Sequence, residues 1–207
     1  MTPRAPRTKS GIQDLRDFPS ETVRFGDDFY RAHKSEHDPS YFCNCGKCRF
    51  DPPKSAKGRY GTCHTAYSDL VALLEHIGDE KLDMITREWI LKRTISRITP
   101  TRNFKIADLL ARKHVGRWRI DADLQAGTKR SLSKGWGSAL QQAGFQGVRH
   151  KSRRDAALEE LCIAFFGPPG EQPSLLKHES PEPISPHLLR RLANEFGIRV
   201  FPQSHLH

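Results

Sequence analysis

No apolar run in this 207-residue sequence approaches the roughly 18 residues that a membrane-spanning helix needs. The basic opening residues, MTPRAPRTKSG, lead into no apolar stretch of the kind a secretory signal requires. Both absences point to a cytoplasmic protein away from membranes. Acidic residues are in the minority: 24 Asp and Glu stand against 34 Lys and Arg, a formal net charge of +10. That balance favours polyanionic or phosphate-bearing partners. The common catalytic signatures are missing as well, with no P-loop, G-x-G-x-x-G, G-x-S-x-G or H-E-x-x-H. The five cysteines, Cys43, Cys45, Cys48, Cys63 and Cys162, are odd in number and uneven in spacing. They make no disulfide framework and fit a compartment that keeps thiols reduced.

What is present suits one well-buried domain. Residues 1–20, rich in Pro, Arg, Lys, Ser and Thr, read as a mobile tail. VRFGDDFYRAH (23–33) has the aromatic and β-branched content of a strand, and GRYGTCHTAY (58–67) is a short extended stretch. Ser68 and Asp69 look like an N-cap and first-turn acid for LVALLEHIG (70–78), with Gly78 as the stop. On that helix Leu70, Leu73, Leu74 and Ile77 share a face, and Glu75 sits at its rim, either as a surface residue or facing a cleft beside the sheet. REWILKRTISRI (87–98) alternates as a strand would, though its length also allows a helix. GWGSALQQAGF (135–145) reads as a helix with Ser138 near its start, and GVRHK (147–151) as a strand. LCIAFF (161–166) reads as a strand buried on both faces, and PHLLRRLANEF (186–196) as a helix in a Pro-punctuated C-terminal stretch. The expected class is α+β, a small mixed or antiparallel sheet with flanking helices.

Within YFCNCGKCRFDPP (41–53), C-x-C-x2-C is followed fifteen residues later by Cys63-His64, enough ligands for one tetrahedral zinc at Cys43, Cys45 and Cys48. Paired C-x2-C knuckles are absent, however, and an adjacent Cys and His do not easily both ligate. The reading preferred from sequence is unligated loop thiols with no metal.

Five segments taken in order, FYRAH (29–33), CRFDPP (48–53), GTCHTAYSDLVALLEHIG (61–78), GFQGVRHKSRR (144–154) and LCIAFF (161–166), resemble the RES domain, a family named for an Arg, a Glu and a Ser. The resemblance covers about residues 23–167. It implies a RES domain over 21–167, with 168–207 as an extension carrying one helix and packed on it. Carried over by motif, the name-giving residues are Arg31, Glu75 and Ser152, and the loop arginine is Arg49, with Arg59 in KGRYG as its rival. Two positions depart from the family pattern: His64 stands where a Tyr is usual, and His150 where an aromatic precedes the Ser.

What the resemblance implies is an ADP-ribosyltransferase-like fold and a toxin of a toxin–antitoxin pair. The toxin would consume NAD+ by phosphorolysis or hydrolysis, or pass ADP-ribose to a protein target. The partners implied are NAD+ as substrate, inorganic phosphate as an acceptor and an Xre-type antitoxin, without direct nucleic-acid binding. Glu75 would stabilise an oxocarbenium-like ribose, and Arg31 and Arg49 would grip the pyrophosphate or phosphate. His64 would stack on or hydrogen-bond the ligand, and Ser152 would bind the nicotinamide carboxamide or the ribose. Against these stand blander assignments: ion pairs of the arginines with Asp27, Asp28 or Asp51, and a turn role for Ser152. Two other functions remain open at this stage. One is a basic nucleic-acid-binding module with a metal site in its Cys loop, and the other is a RES domain that binds nucleotide without turnover.

Overall fold

The structure is a computed structural model that describes residues 7–8, 11–12, 15–78, 84–112, 117–118, 120 and 122–201. Its centre is a nine-stranded sheet. The strands run in the order Leu176–His178, Arg93–Pro100, Phe29–Lys34, Gly61–Ala66, Leu161–Gly167, Gly147–Lys151, Phe104–Asp108 and Ser20–Val23, with Glu182–Pro183 also paired to Arg93–Pro100. All neighbours in it are antiparallel except Phe104–Asp108 and Gly147–Lys151. A parallel pair needs a crossover, and here the crossover carries the helices Ala122–Ala126 and Arg130–Gln142. The fold is α+β, as expected.

The buried strand Leu161–Gly167 shows how the sheet is covered. Ile163 and Phe165 face one hydrophobic cluster with Phe29, Phe42, Ile98 and Phe104. Cys162, Ala164 and Phe166 face the other side, where two clusters share the surface. One lies under the helix Arg130–Gln142 and gathers Phe18, Trp118, Trp136 and Phe145. The second joins Leu70, Leu73 and Leu74 of the helix Asp69–Ile77 to Leu188 and Leu192 of the helix Pro186–Phe196. Between these two layers Ala66, Cys162 and His150 lie abreast on three adjacent strands, the first two of them small. Small residues at a gap between covering helices leave a hollow.

Local signals explain most of the elements. Ser68 caps the helix Asp69–Ile77 by accepting a 3.2 Å bond from the Val71 N–H, a contact worth about 1 kcal/mol. Ser185 caps Pro186–Phe196 in the same way, and Gly197 ends that helix in the left-handed region.

Four expectations shift. The segment 23–33 is two strands, Ser20–Val23 and Phe29–Lys34, divided by a turn at Gly26 (φ 85°). The segment 87–98 is a helix, Arg87–Leu91, capped by Thr86, followed by the strand Arg93–Pro100. The helix expected over 135–145 begins at Arg130, so Ser138 is mid-helix. Of the expected tail over 1–20, residues 1–6, 9–10 and 13–14 lie outside the described residues. Leu15 and Phe18, at 2% exposure each, are buried in the core, so the packed chain includes part of that tail.

Candidate active site

The hollow is a cavity of about 480 Å³ whose lining includes Arg31, Arg49, His64 and Glu75, residues from four separate segments. Glu75 is the one carboxylate among the described lining residues, against the arginines Arg31, Arg49, Arg130, Arg153 and Arg154. A cavity so charged favours an anionic ligand.

The Arg49 loop is held firmly. Phe50 sits at φ 60°, a conformation costly for a non-glycine residue. The Phe50 carbonyl accepts the Tyr60 hydroxyl at 2.8 Å, and the loop backbone lies so close to Gly137 that a Cβ there would meet the Phe50 oxygen at 2.6 Å. Arg49 itself is only 8% exposed, and its Nη2 donates to the Leu124 carbonyl. Its Nε and Nη1 are buried with no hydrogen-bond partner among the described residues. Burial lowers its pKa to about 10, with the Glu75 charge acting in the opposite direction, so it stays cationic at neutral pH. Unsatisfied buried donors are costly, and a bound anion would satisfy these two.

Across the cavity, Glu75 projects from the rim of its helix and accepts a 2.5 Å hydrogen bond from the Ser152 hydroxyl. Ser152 is fully buried and also accepts the Arg154 N–H. It lies behind the carboxylate and is not among the residues lining the cavity. From there it fixes the orientation of the Glu75 carboxylate. Arg31 uses Nη1 on the carbonyls of Pro39 and Tyr41 and on the Cys63 sulfur, and among the described residues its Nη2 and Nε make no hydrogen bond. The ion pairs considered for these arginines do not form: Asp28 pairs with Arg97, and Asp27 accepts the Arg24 N–H. Asp51 has no basic partner among the described residues. Arg59 is exposed and outside the lining, so the loop arginine in the cavity is Arg49.

Two histidines line the same space. His64 is shifted below the ordinary imidazole value by burial, and its Nε2 has no partner among the described residues. His150 is likewise held neutral by burial, donates through Nδ1 to the Lys151 carbonyl, and keeps Nε2 unpartnered. A neutral ring with hydrogen on Nδ1 presents Nε2 as an acceptor. His150 is a lining residue that the motif pattern marked only as a departure. Arg130 had no motif at all, because its place depends on where the crossover helix begins. The cysteine loop borders the cavity through Cys43 and Cys48, with Asp51 beside them.

The sequence profile of the RES domain matches residues 28–184. The chain belongs to the RES domain family. The match runs past the end expected at 167, consistent with Leu176–His178 and Glu182–Pro183 being strands of the RES sheet itself. No curated protein matches the chain. Among solved structures, one similar chain comes from the crystal structure of the M. tuberculosis MbcT–MbcA toxin–antitoxin complex. It is 17% identical with a TM-score of 0.60, and the alignment covers 87% of this RES chain and 94% of the other. At that identity the likeness establishes the fold. Among the described residues of this RES protein, no helix is long and apolar enough to cross a membrane.

Proposed function

We propose that this protein is a toxin that destroys NAD+ by cleaving its nicotinamide–ribose bond. The observation that carries this reading is the pairing, in one cavity, of a carboxylate fixed by Ser152 with a buried guanidinium that has two unused donors. Nicotinamide leaves a cationic ring as a neutral base, so it needs no proton. A second carboxylate acting as general acid, as in ordinary glycosidases, is therefore dispensable. The C–N electron pair departs with the pyridine ring and quenches its charge, and positive charge builds on the ribose. The Glu75 carboxylate stabilises that charge electrostatically. Arg49 and Arg31 hold the pyrophosphate with the planar donor geometry that suits phosphate oxygens. The acceptor's oxygen then bonds to the anomeric carbon and loses its proton. His150 Nε2 is available to accept from the substrate's carboxamide or hydroxyl groups. The structural likeness to a toxin from a toxin–antitoxin complex supports a cytoplasmic toxin held in check by a protein antitoxin, the Xre type that the resemblance implies.

Purified protein incubated with NAD+ is expected to release nicotinamide. Phosphate should yield ADP-ribose 1″-phosphate, and its absence should yield ADP-ribose. If ADP-ribose instead appears on an added protein, the same cavity is a transferase site. Unconsumed NAD+ together with nucleic-acid binding that weakens log-linearly with salt would overturn the enzyme reading.

A further inference from the structure

The loop that carries Arg49 also gathers donor atoms that NAD+ chemistry leaves unused. Cys43, Cys45 and Asp51 each bring a ligand atom within 4.8 Å of the other two, and so do Cys48, Asp51 and His64. Asp51 belongs to both sets. It is fully buried, and its hydrogen-bond partners are the Thr62 hydroxyl, the Cys48 N–H at 3.0 Å and the Cys45 sulfur at 3.6 Å. Among the described residues no basic side chain makes an ion pair with it. Buried carboxylates are paired with a cation or coordinate a metal, and this one has thiols around it instead.

The backbone has the form of a metal-binding turn. Cys45-Gly46-Lys47-Cys48 is a C-x2-C step, and Gly46, at φ 72°, permits the tight bend. Amide hydrogens point at sulfur: Cys45 N–H donates to the Cys43 Sγ at 3.3 Å, and Lys47 N–H to the Cys45 Sγ at 3.4 Å. Such bonds orient thiolate ligands and support their charge. Lys134, from the crossover helix, anchors the turn through the Gly46 carbonyl. Strand alternation also removes the difficulty of the adjacent Cys63 and His64. Cys63 is buried on the opposite face against Arg31, whereas His64 stands beside Asp51.

We infer that Cys43, Cys45, Cys48 and Asp51 together hold one zinc-class divalent cation. Three sulfur ligands select a thiophilic ion over magnesium or calcium, and four protein ligands make a closed, structural site. The ion would brace the segment that runs directly into Arg49. This reverses the metal-free expectation drawn from sequence, and it stands apart from the NAD+ reading.

Protein purified under reducing conditions without chelator, and analysed by elemental mass spectrometry, is expected to carry about one zinc ion per chain. Exchange for cobalt should produce the near-ultraviolet charge-transfer band of cobalt bound to thiolate. Cys45→Ser combined with Cys48→Ser should remove both signals, and Cys162→Ser should keep both. A wild-type protein with little zinc and no sulfur-to-cobalt band would overturn the inference. So would metal content unchanged in the double variant, or a disulfide among Cys43, Cys45 and Cys48 in protein isolated with its thiols blocked. Should the double variant fail to fold, the wild-type cobalt spectrum still decides. None of these readouts uses NAD+, so a failure here and a failure of the proposed cleavage are separately visible.

Discussion

On one side of the cavity Glu75 rises from a nine-residue helix capped by Ser68 and stopped by Gly78, and takes its hydrogen bond from a buried serine. On the other, Arg49 sits in an irregular loop with Phe50 at positive φ, its guanidinium held through one nitrogen and left with two unpartnered donors. The first wall is satisfied before any ligand arrives. The second is incomplete without one. A preformed carboxylate costs no reorganisation when charge develops on the ribose, whereas unsatisfied donors gain most from the ligand that completes them. Under the proposed NAD+ cleavage, the contrast assigns catalysis to the helix side and binding to the loop side.

Glu75→Gln tests the helix wall most severely. It keeps the shape and a polar partner for Ser152 but removes the charge, so the NAD+ cleavage rate at saturation should fall by about 10³-fold with little change in KM. Near-normal turnover by this variant would move the reaction elsewhere. Arg49→Ala is expected to act on the other parameter, raising KM for NAD+ by about 10²-fold, in line with the loss of charge-assisted hydrogen bonds. Arg49→Lys should recover only part of that loss, because an ammonium keeps the charge and lacks the fork. If both loop variants lowered kcat while leaving KM unchanged, the division between the walls would be wrong.

Ser152→Ala refines the comparison with a smaller effect. Loss of the hydrogen bond to the carboxylate should reduce kcat by about tenfold, since Glu75 is then less firmly aimed. A serine that touched the substrate would instead show in KM. The split between the two parameters therefore distinguishes the positioning role from the contact that the family motif suggested.

How much of this was legible in the sequence follows the same division. The helix wall is written locally: Ser68, the apolar spacing of Leu70, Leu73, Leu74 and Ile77, and Gly78 lie within eleven residues, and Glu75 falls at the rim by periodicity alone. The strand Leu161–Gly167 and the helix Pro186–Phe196 were readable for the same reason. The loop wall depends on distant partners. Arg49 is held by the Leu124 carbonyl, 75 positions away, and Phe50 by Tyr60 and by close approach to Gly137. In the run Arg130–Gly135 two serines and a glycine interrupt Arg, Leu and Lys, and Lys129 gives no side-chain cap, which hid the first turn of the crossover helix and with it the place of Arg130. The motif marks Ser152, but its hydrogen bond to Glu75 was not legible, because motif order carries no information on which side of a carboxylate a hydroxyl stands.

The smallest effect, taken residue by residue, concerns stability against acid. Buried neutral histidines flank both walls. His76 is pushed down to about 3 by burial and the nearby Arg93, whose Nε donates to it at 3.2 Å. His33 and His150 are lowered chiefly by burial, and each donates through Nδ1 to the following residue's carbonyl. For these groups the unfolded chain takes up protons near pH 6.5 while the folded chain does not. Their contribution is therefore complete above about pH 6.5 and is lost as pH falls towards the lowered folded values, by up to about 1.4 kcal/mol per pH unit for each. Carboxylates act in a different window. Asp28, lowered by its bond from Arg97, gives up its contribution only as pH drops below the ordinary value of 3.8. Urea-unfolding midpoints should thus be flat from pH 8 to 7 and decline from about 6.5 to 4.5 on account of the histidines alone. A midpoint that held steady down to pH 4.5 would mean that these rings are protonated in the folded protein. His150 would then present a donor to the cavity, and the acceptor role assigned to its Nε2 would have to be inverted.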